Sequence, residues 1–351
     1  MLDPPQRVTT LELFFDLVFV FTITQLTSTL AEHVTLAAAG RLLLVFGVLW
    51  WMYGGYAWLT NARIPSRAPE RLLLLIGMAG FLIIGLSIPR AFGSAGTHGR
   101  DGLALGLGYL VVVGVHSILY LRANRNIGRI LPFNLTSPLL VIIAGLTPAP
   151  AAYALWGAAL AIQVLGPMVV RLGARFDIQP AHFVERHGAL MIVAFGESVA
   201  DVGLGAEGHA VTVALAVSAT LGLALTASLW WAFFGTGDDD QAEESLTAAT
   251  PERRPWLVLA AYFYAYIPML LGIAATDTAT GQAARARTAL TIRYRDPPMP
   301  STQRNVTSPA RNSVTPPASA IAGPAVSVAP GCPMELRSPA AIAMMPSSIG
   351  M

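Results

Sequence analysis

The stretch LELFFDLVFVFTITQLTSTL, residues 11–30, decides the fold. It is apolar for most of its length, yet Glu12 and Asp16 stand in its first two turns. A run of about 20 apolar residues is long enough to cross the hydrocarbon core as one helix. A charge in that core costs roughly 2.5 kcal/mol or more, so an acid there is either paired or functional. At 100° per residue Asp16 lies about 40° from Glu12, which puts both acids on one face, one turn apart. Asp16 sits about 9 Å further in than Thr10 by the helical rise. Its short side chain cannot reach back to water from there. Glu12 lies nearer the end and has a second reading, an acid hydrated at the membrane surface.

The rest of the chain has the same character. Of its 351 residues, 54% are hydrophobic and only 12% charged, against about 25% charged in an ordinary soluble domain. Mean hydropathy is +0.58. The reading is an all-α, polytopic transmembrane bundle. A net charge of +2 without a basic patch gives no reason to expect a nucleic-acid partner. Cys332 is the only cysteine, so an intrachain disulfide or a cysteine metal site is excluded. No phosphate loop, dinucleotide fingerprint, zinc motif or Ser-His-Asp spacing occurs, so no cofactor is expected, and a membrane-embedded enzyme stays only a third reading. The first apolar run opens with acids and lacks a small-residue cleavage site, so it reads as a retained helix and not a signal peptide.

Nine spans can be marked, at about 11–31, 41–60, 72–89, 103–121, 132–147, 152–170, 182–204, 211–234 and 256–275. The fifth holds Pro132, Asn134 and Pro138 and should be short or kinked. Loops on the N-terminal side carry eleven arginines: Arg7, Arg63, Arg67, Arg71, Arg122, Arg125, Arg129, Arg171, Arg175, Arg253 and Arg254. The opposite side carries Arg41, Arg90 and Arg100. The positive-inside rule then places residues 1–10 in the cytoplasm, and 22 arginines without a lysine suggest a GC-rich bacterial genome. Trp50, Trp51, Tyr53, Tyr56 and Trp58 read as an interfacial aromatic belt, and Gly102, Gly106 and Gly108 as a close-packing helix face. The transmembrane domain is expected to span 11–277. Residues 278–351 have disordered composition: 285–351 alone hold 11 of the 25 prolines. They are either a solvated tail or an out-of-frame translation that replaced later helices.

The seventh span, HFVERHGALMIVAFGESVADVGLG, carries the second dense set of polar groups. His182, Arg186, Leu190, Val193, Glu197 and Asp201 follow helical spacing and form one stripe about 28 Å long. So polar a stripe is expected to face protein or a cavity and not lipid. The first and seventh spans start on the same side, so Arg186 should lie at the depth of Glu12 and Asp16. The expectation is that Arg186 pairs with Asp16, Glu12 or its neighbour Glu185. His182 and His187 flank that pair and read as structural histidines. Phe14-Phe15-Asp16-Leu17-Val18 and Phe195-Gly196-Glu197-Ser198-Val199 share the pattern F-x-acid-x-V on these two helices. That would suit a two-repeat architecture, here truncated.

Three segments carry a family resemblance: VTTLELFFDLVFVFTITQL (Val8–Leu26), HFVERHGALMIVAFGESV (His182–Val199) and AAYFYAYIPMLLGIA (Ala260–Ala274). The chain resembles the bacterial low temperature requirement A family over about residues 7–277. That resemblance implies a multi-helix membrane protein of a family named for a cold-growth phenotype. It carries over Glu12, Asp16, Glu185, Arg186, Glu197 and Ser198 by motif. One departure is visible: a histidine is expected in a Tyr-x-Tyr-x-His-x-Pro segment, and Tyr266 stands there before Pro268.

Two functions follow as expectations. The first is an ion- or proton-coupled, transporter-like protein whose path is lined by His182 and the acids and arginine above, with membrane lipids and protons or small cations as partners. The second is a non-transporting structural or cold- and stress-adaptation protein whose ion pairs only hold helices together. The sequence leaves the oligomeric state open.

Overall fold

The computed structural model describes residues 7–32, 35–92, 99–123, 128–148, 150–169, 178–206, 210–235, 237–273 and 276. Residue contacts divide the chain into units 1–297 and 298–351, and all described residues belong to the first. The tail assigned to 278–351 lies outside the described residues.

Among the described residues the elements are helical throughout: α1 Thr10–Glu32, α2 Leu36–Ala62, α3 Ala68–Ala91, α4 Arg100–Ala123, α5 Leu131–Leu146, α6 Ala151–Val169, α7 Pro180–Ala206, α8 Val213–Phe234, α9 Asp238–Ala248 and α10 Arg254–Val258. A π-helical turn, Leu259–Tyr264, continues α10, and residues 266–273 complete that helix. Each of the nine expected spans is a helix. Seven stretches are long and apolar enough to cross a membrane, while Leu131–Leu146 and Ala151–Gly166 are shorter. The count of nine is thus slightly generous. Pro138 lies inside the short α5, where it removes one backbone donor.

Local chemistry sets the helix starts. Thr9 and Glu12 form a reciprocal cap on α1: Glu12 N donates to Thr9 Oγ1 at 3.3 Å, and Thr9 N donates to Glu12 Oε2 at 2.9 Å. Thr35 and Thr212 cap α2 and α8 through their hydroxyls. Glu70, in the first turn of α3, accepts from Arg63 Nη2 at 3.0 Å.

The bundle has a sequential wall and an inner group. α3, α4, α5 and α6 pack each on the next, and α1 is flanked by α2, α3 and α7. α2 also touches α4, α6 and α7. The outer faces are apolar, as at Leu72, Ile76, Ile83 and Leu86 of α3, all exposed. An apolar outside and internally bonded helices are what a bilayer requires.

Close approach falls at small residues. A Cβ on Gly106 would sit 2.8 Å from Ile142 Cα, and one on Gly145 would sit 2.3 Å from the Gly102 carbonyl oxygen. Both positions bring α4 and α5 nearly into backbone contact. The expected belt is corrected by the structure. Trp50, Tyr53 and Tyr56 are buried, and their rings pack with Phe15, Phe19, Phe46 and Phe81 as the aromatic centre of the bundle. An interfacial belt needs rings at the lipid surface, but this stripe of α2 faces α1 and α3.

Gly145→Ala should therefore lower stability by about 1–3 kcal/mol, since the facing backbone must move. Gly157→Ala, with no atom within 4 Å of the new methyl group, should be neutral. Thermal unfolding of the detergent-solubilised proteins measures the difference.

Candidate functional site

Glu12 and Asp16 point from α1 toward α2 and α7, and both are 0% exposed. Arg186 enters from the second turn of α7 and is 1% exposed. Its Nη1 donates to Glu12 Oε1 at 2.9 Å, and its Nη2 donates to Asp16 Oδ1 at 3.1 Å. Arg186 Nη1 also donates to Thr60 Oγ1 of α2. The guanidinium carbon lies 5.8 Å from the centre of the Phe15 ring and 5.7 Å from that of Tyr53, close enough for cation–π attraction. One arginine thus ties three helices together.

The acids differ in their surroundings. Glu12 uses both oxygens: Oε1 accepts from Arg186 Nη1, while Oε2 accepts from Thr9 N and Thr9 Oγ1, each at 2.9 Å, and meets His182 Nε2 at 3.3 Å. Asp16 uses one. Its Oδ1 accepts from Tyr53 Oη at 2.9 Å and from Arg186, while Oδ2 is buried without a hydrogen-bond partner. Arg186 Nε is likewise buried and unpartnered.

His182, 0% exposed, closes the site on the Glu12 side. Behind it Asn61 Nδ2 meets His182 Nδ1 at 3.3 Å and donates to Gln179 O at 2.9 Å. Gln179 N in turn donates to Asn61 Oδ1 at 3.0 Å. Asn61, at the end of α2, thereby fixes the start of α7 and the imidazole ring together.

The sequence profile of the bacterial low temperature requirement A protein family (LtrA) matches residues 7–327. The chain belongs to this family. An uncharacterized protein of Rhizobium meliloti (strain 1021) is 26% identical over 278 residues, which cover 75% of this chain and 66% of that relative. The chain therefore spans just under two thirds of that relative's length. No solved structure matches. Family membership and the apolar helical bundle make this LtrA-family chain an integral, multi-pass membrane protein.

The other residues singled out from the LtrA-type motifs lie apart from the cluster. Glu185 is exposed and accepts from Val8 N at 3.1 Å, with Arg7 at 4.0 Å. Ser198 is buried but bonds back to Ala194 O of its own helix at 3.3 Å. Glu197 and Asp201 are half-buried. Glu197 lies eleven residues beyond Arg186, about 16 Å along α7. The stripe on α7 is therefore one buried half, His182 to Leu190, and one partly open half beyond it. Among the described residues no three His, Cys, Asp or Glu converge as metal ligands.

Tyr53, Thr60 and Asn61 are the contributors that sequence reasoning missed. The signal was present: Tyr53 and Thr60 are seven residues apart, two turns of α2, and so share a face. Thr9-x-x-Glu12 is also a capping-box pattern ahead of an apolar run. Tyr266 occupies the place where the family resemblance led us to expect histidine. It is buried, with ring centres 5.2 Å from His187 and 6.4 Å from Trp50. It lies beside the cluster, in ring contact with His187.

Arg186→Ala should cost about 3–5 kcal/mol, because it strands a buried carboxylate. Combining it with Glu12→Gln should recover part of that loss. Unfolding temperature and folded yield in detergent report both. A single Arg186→Ala protein as stable as wild type would show that the pairing contributes nothing.

Proposed function

We propose that the protein is an ion- or proton-coupled, transporter-like protein of a bacterial inner membrane, its N-terminus on the cytoplasmic side. The arginine bias between alternate loops supports that orientation. The observation that carries the functional reading is the buried cluster of Glu12, Asp16, His182 and Arg186, in which acids outnumber the guanidinium. Ionisable groups inside a membrane bundle are costly to keep and commonly mark ion or proton paths. Glu197 and Asp201, half-buried on the same helix, would extend the path toward the far end of α7. Protons or small monovalent cations are the ligands this chemistry suits.

A second reading has its own support. Glu12 is both a helix cap and a counter-ion, and the cluster is closed to solvent. Those features suit a structural lock in a protein of cold or stress adaptation. A lock alone, however, would require only one acid for its arginine.

Purified protein in liposomes separates the two. Transport predicts proton or cation flux that Asp16→Asn and Glu197→Gln reduce to the level of empty liposomes, with folding intact by size-exclusion chromatography. Flux that is absent for protons, common ions and small solutes would leave the lock.

A further inference from the structure

The hydrogen bonds behind His182 fix its charge. Gln179 N is a donor, so the Asn61 atom facing it at 3.0 Å is the amide oxygen. The other end of the amide, Nδ2, is then a donor toward His182 Nδ1. Nδ1 must accept and carries no proton. The ring proton sits on Nε2, which donates to Glu12 Oε2 at 3.3 Å. This assignment comes from the network, and it makes His182 a neutral imidazole. A second proton would set two N–H groups against each other.

The charges can now be counted. Arg186 is the cation, since guanidinium does not deprotonate in proteins. Glu12 has donors on both oxygens, the surroundings of an ionised carboxylate. These two cancel. Asp16 has two donors on Oδ1 and none on Oδ2. A neutral carboxylic acid fits this better than a second anion: its carbonyl oxygen Oδ1 accepts both bonds, and an unbonded hydroxyl on Oδ2 costs less than an unpaired buried charge. An ionised Asp16 would add a net negative charge to a fully buried site, with one oxygen left bare.

The neighbours of Asp16 agree with this. On α1 the nearest charge is Glu12, which repels a second anion. α2 presents the neutral Tyr53, and α7 presents Arg186, already matched by Glu12, with neutral His182 on the far side of Glu12. His187, the next imidazole on α7, bonds through Nδ1 to Phe183 O at 2.9 Å and faces Tyr262 and Tyr266. α3 brings the Phe81 ring against Phe15 and Phe19, and its acid Glu70 pairs with Arg63. A metal cation fits this site poorly, because Oδ1 already faces a guanidinium.

We propose that Asp16 is the proton-binding group of this cluster, holding its proton on Oδ2 while Glu12 remains the ionised partner of Arg186. The proposal rests on the reading of the cluster as an ion or proton site and narrows the ligand to a proton. Losing that proton would leave an uncompensated charge among Phe15, Phe19 and Tyr53, so release requires the helices to part or water to enter.

Infrared difference spectroscopy on the full chain in nanodiscs tests it. At about pH 7 the wild type should show the C=O stretch of a protonated carboxyl group, which fades only as pH rises. Asp16→Asn should abolish that band. Glu12→Gln and Asp201→Asn should keep it. Asp16→Asn should also melt close to wild type, since the amide keeps a carbonyl for Tyr53 and Arg186, whereas Glu12→Gln should melt well below it. No such band in wild type, or a band that Glu12→Gln removes and Asp16→Asn spares, overturns the assignment. An Asp16 band in a protein that moves no protons across liposomes refutes the transport reading and leaves the proton on Asp16.

Discussion

Everything in this bundle has to accommodate one buried guanidinium. Arg186 is closed off from solvent, so its charge must be met by protein. Glu12 supplies the counter-charge, while Asp16, Thr60 and the rings of Phe15 and Tyr53 supply the rest. These groups come from α1 and α2, and the constraint fixes both helices against α7 in depth and in rotation. An apolar interface alone would not do this inside a membrane, because lipid tails are as apolar as leucine. The polar cluster therefore determines which helices are neighbours, and the aromatic packing around it fills the space that results.

The last helix shows the same dependence on α2. Pro268 offers no N–H to the carbonyl of Tyr264 and crowds it, and the π-helical turn ends just before, with Ala265 N bonded to Ala260 O at 3.1 Å. Phe263, in that turn, gives its carbonyl to the Trp50 indole N–H at 3.0 Å. Its ring lies where a side chain at position 54 would be, since a Cβ there would sit 1.8 Å from Phe263 Cε2. Gly54 and the wide turn fit each other, and together they bring Tyr262 and Tyr266 against His187. The region beside the charge cluster is thus aromatic and hydroxylated.

How much of this was legible depended on the range of the signal. Spacing along one helix is local, so the shared face of Glu12 and Asp16 and the stripe from His182 to Arg186 could be read directly. The arginine bias between loops set relative depth, which was enough to put Arg186 opposite the two acids. Which face of α2 turned inward was not legible. Its aromatic residues suit a membrane surface as well as a bundle centre, and only the contacts with Phe15 and Phe19 of α1 and Phe81 of α3 decide between them. The role of Asn61 was hidden for a similar reason, because its partners Gln179 and His182 are more than a hundred residues away. Glu197 and Asp201 continued the stripe on paper, but both are only half-buried, so its closed part ends before them.

Glu12 joins the two roles that the competing functions treat as separate. Its Oε2 caps the first turn of α1 through Thr9 and meets His182, and its Oε1 holds Arg186. An arrangement that moved Arg186 away would leave Glu12 charged, buried and short of donors unless the start of α1 also shifted toward water. Conversely, fraying of that first turn would weaken the counter-ion of Arg186 and raise the demand on Asp16 to ionise. Cap, ion pair and acid are therefore coupled through one carboxylate. In the packed state they form a lock. The same coupling lets gain or loss of one proton at Asp16 shift the α1–α7 contact, because a neutral Asp16 leaves the cluster balanced and an ionised one does not.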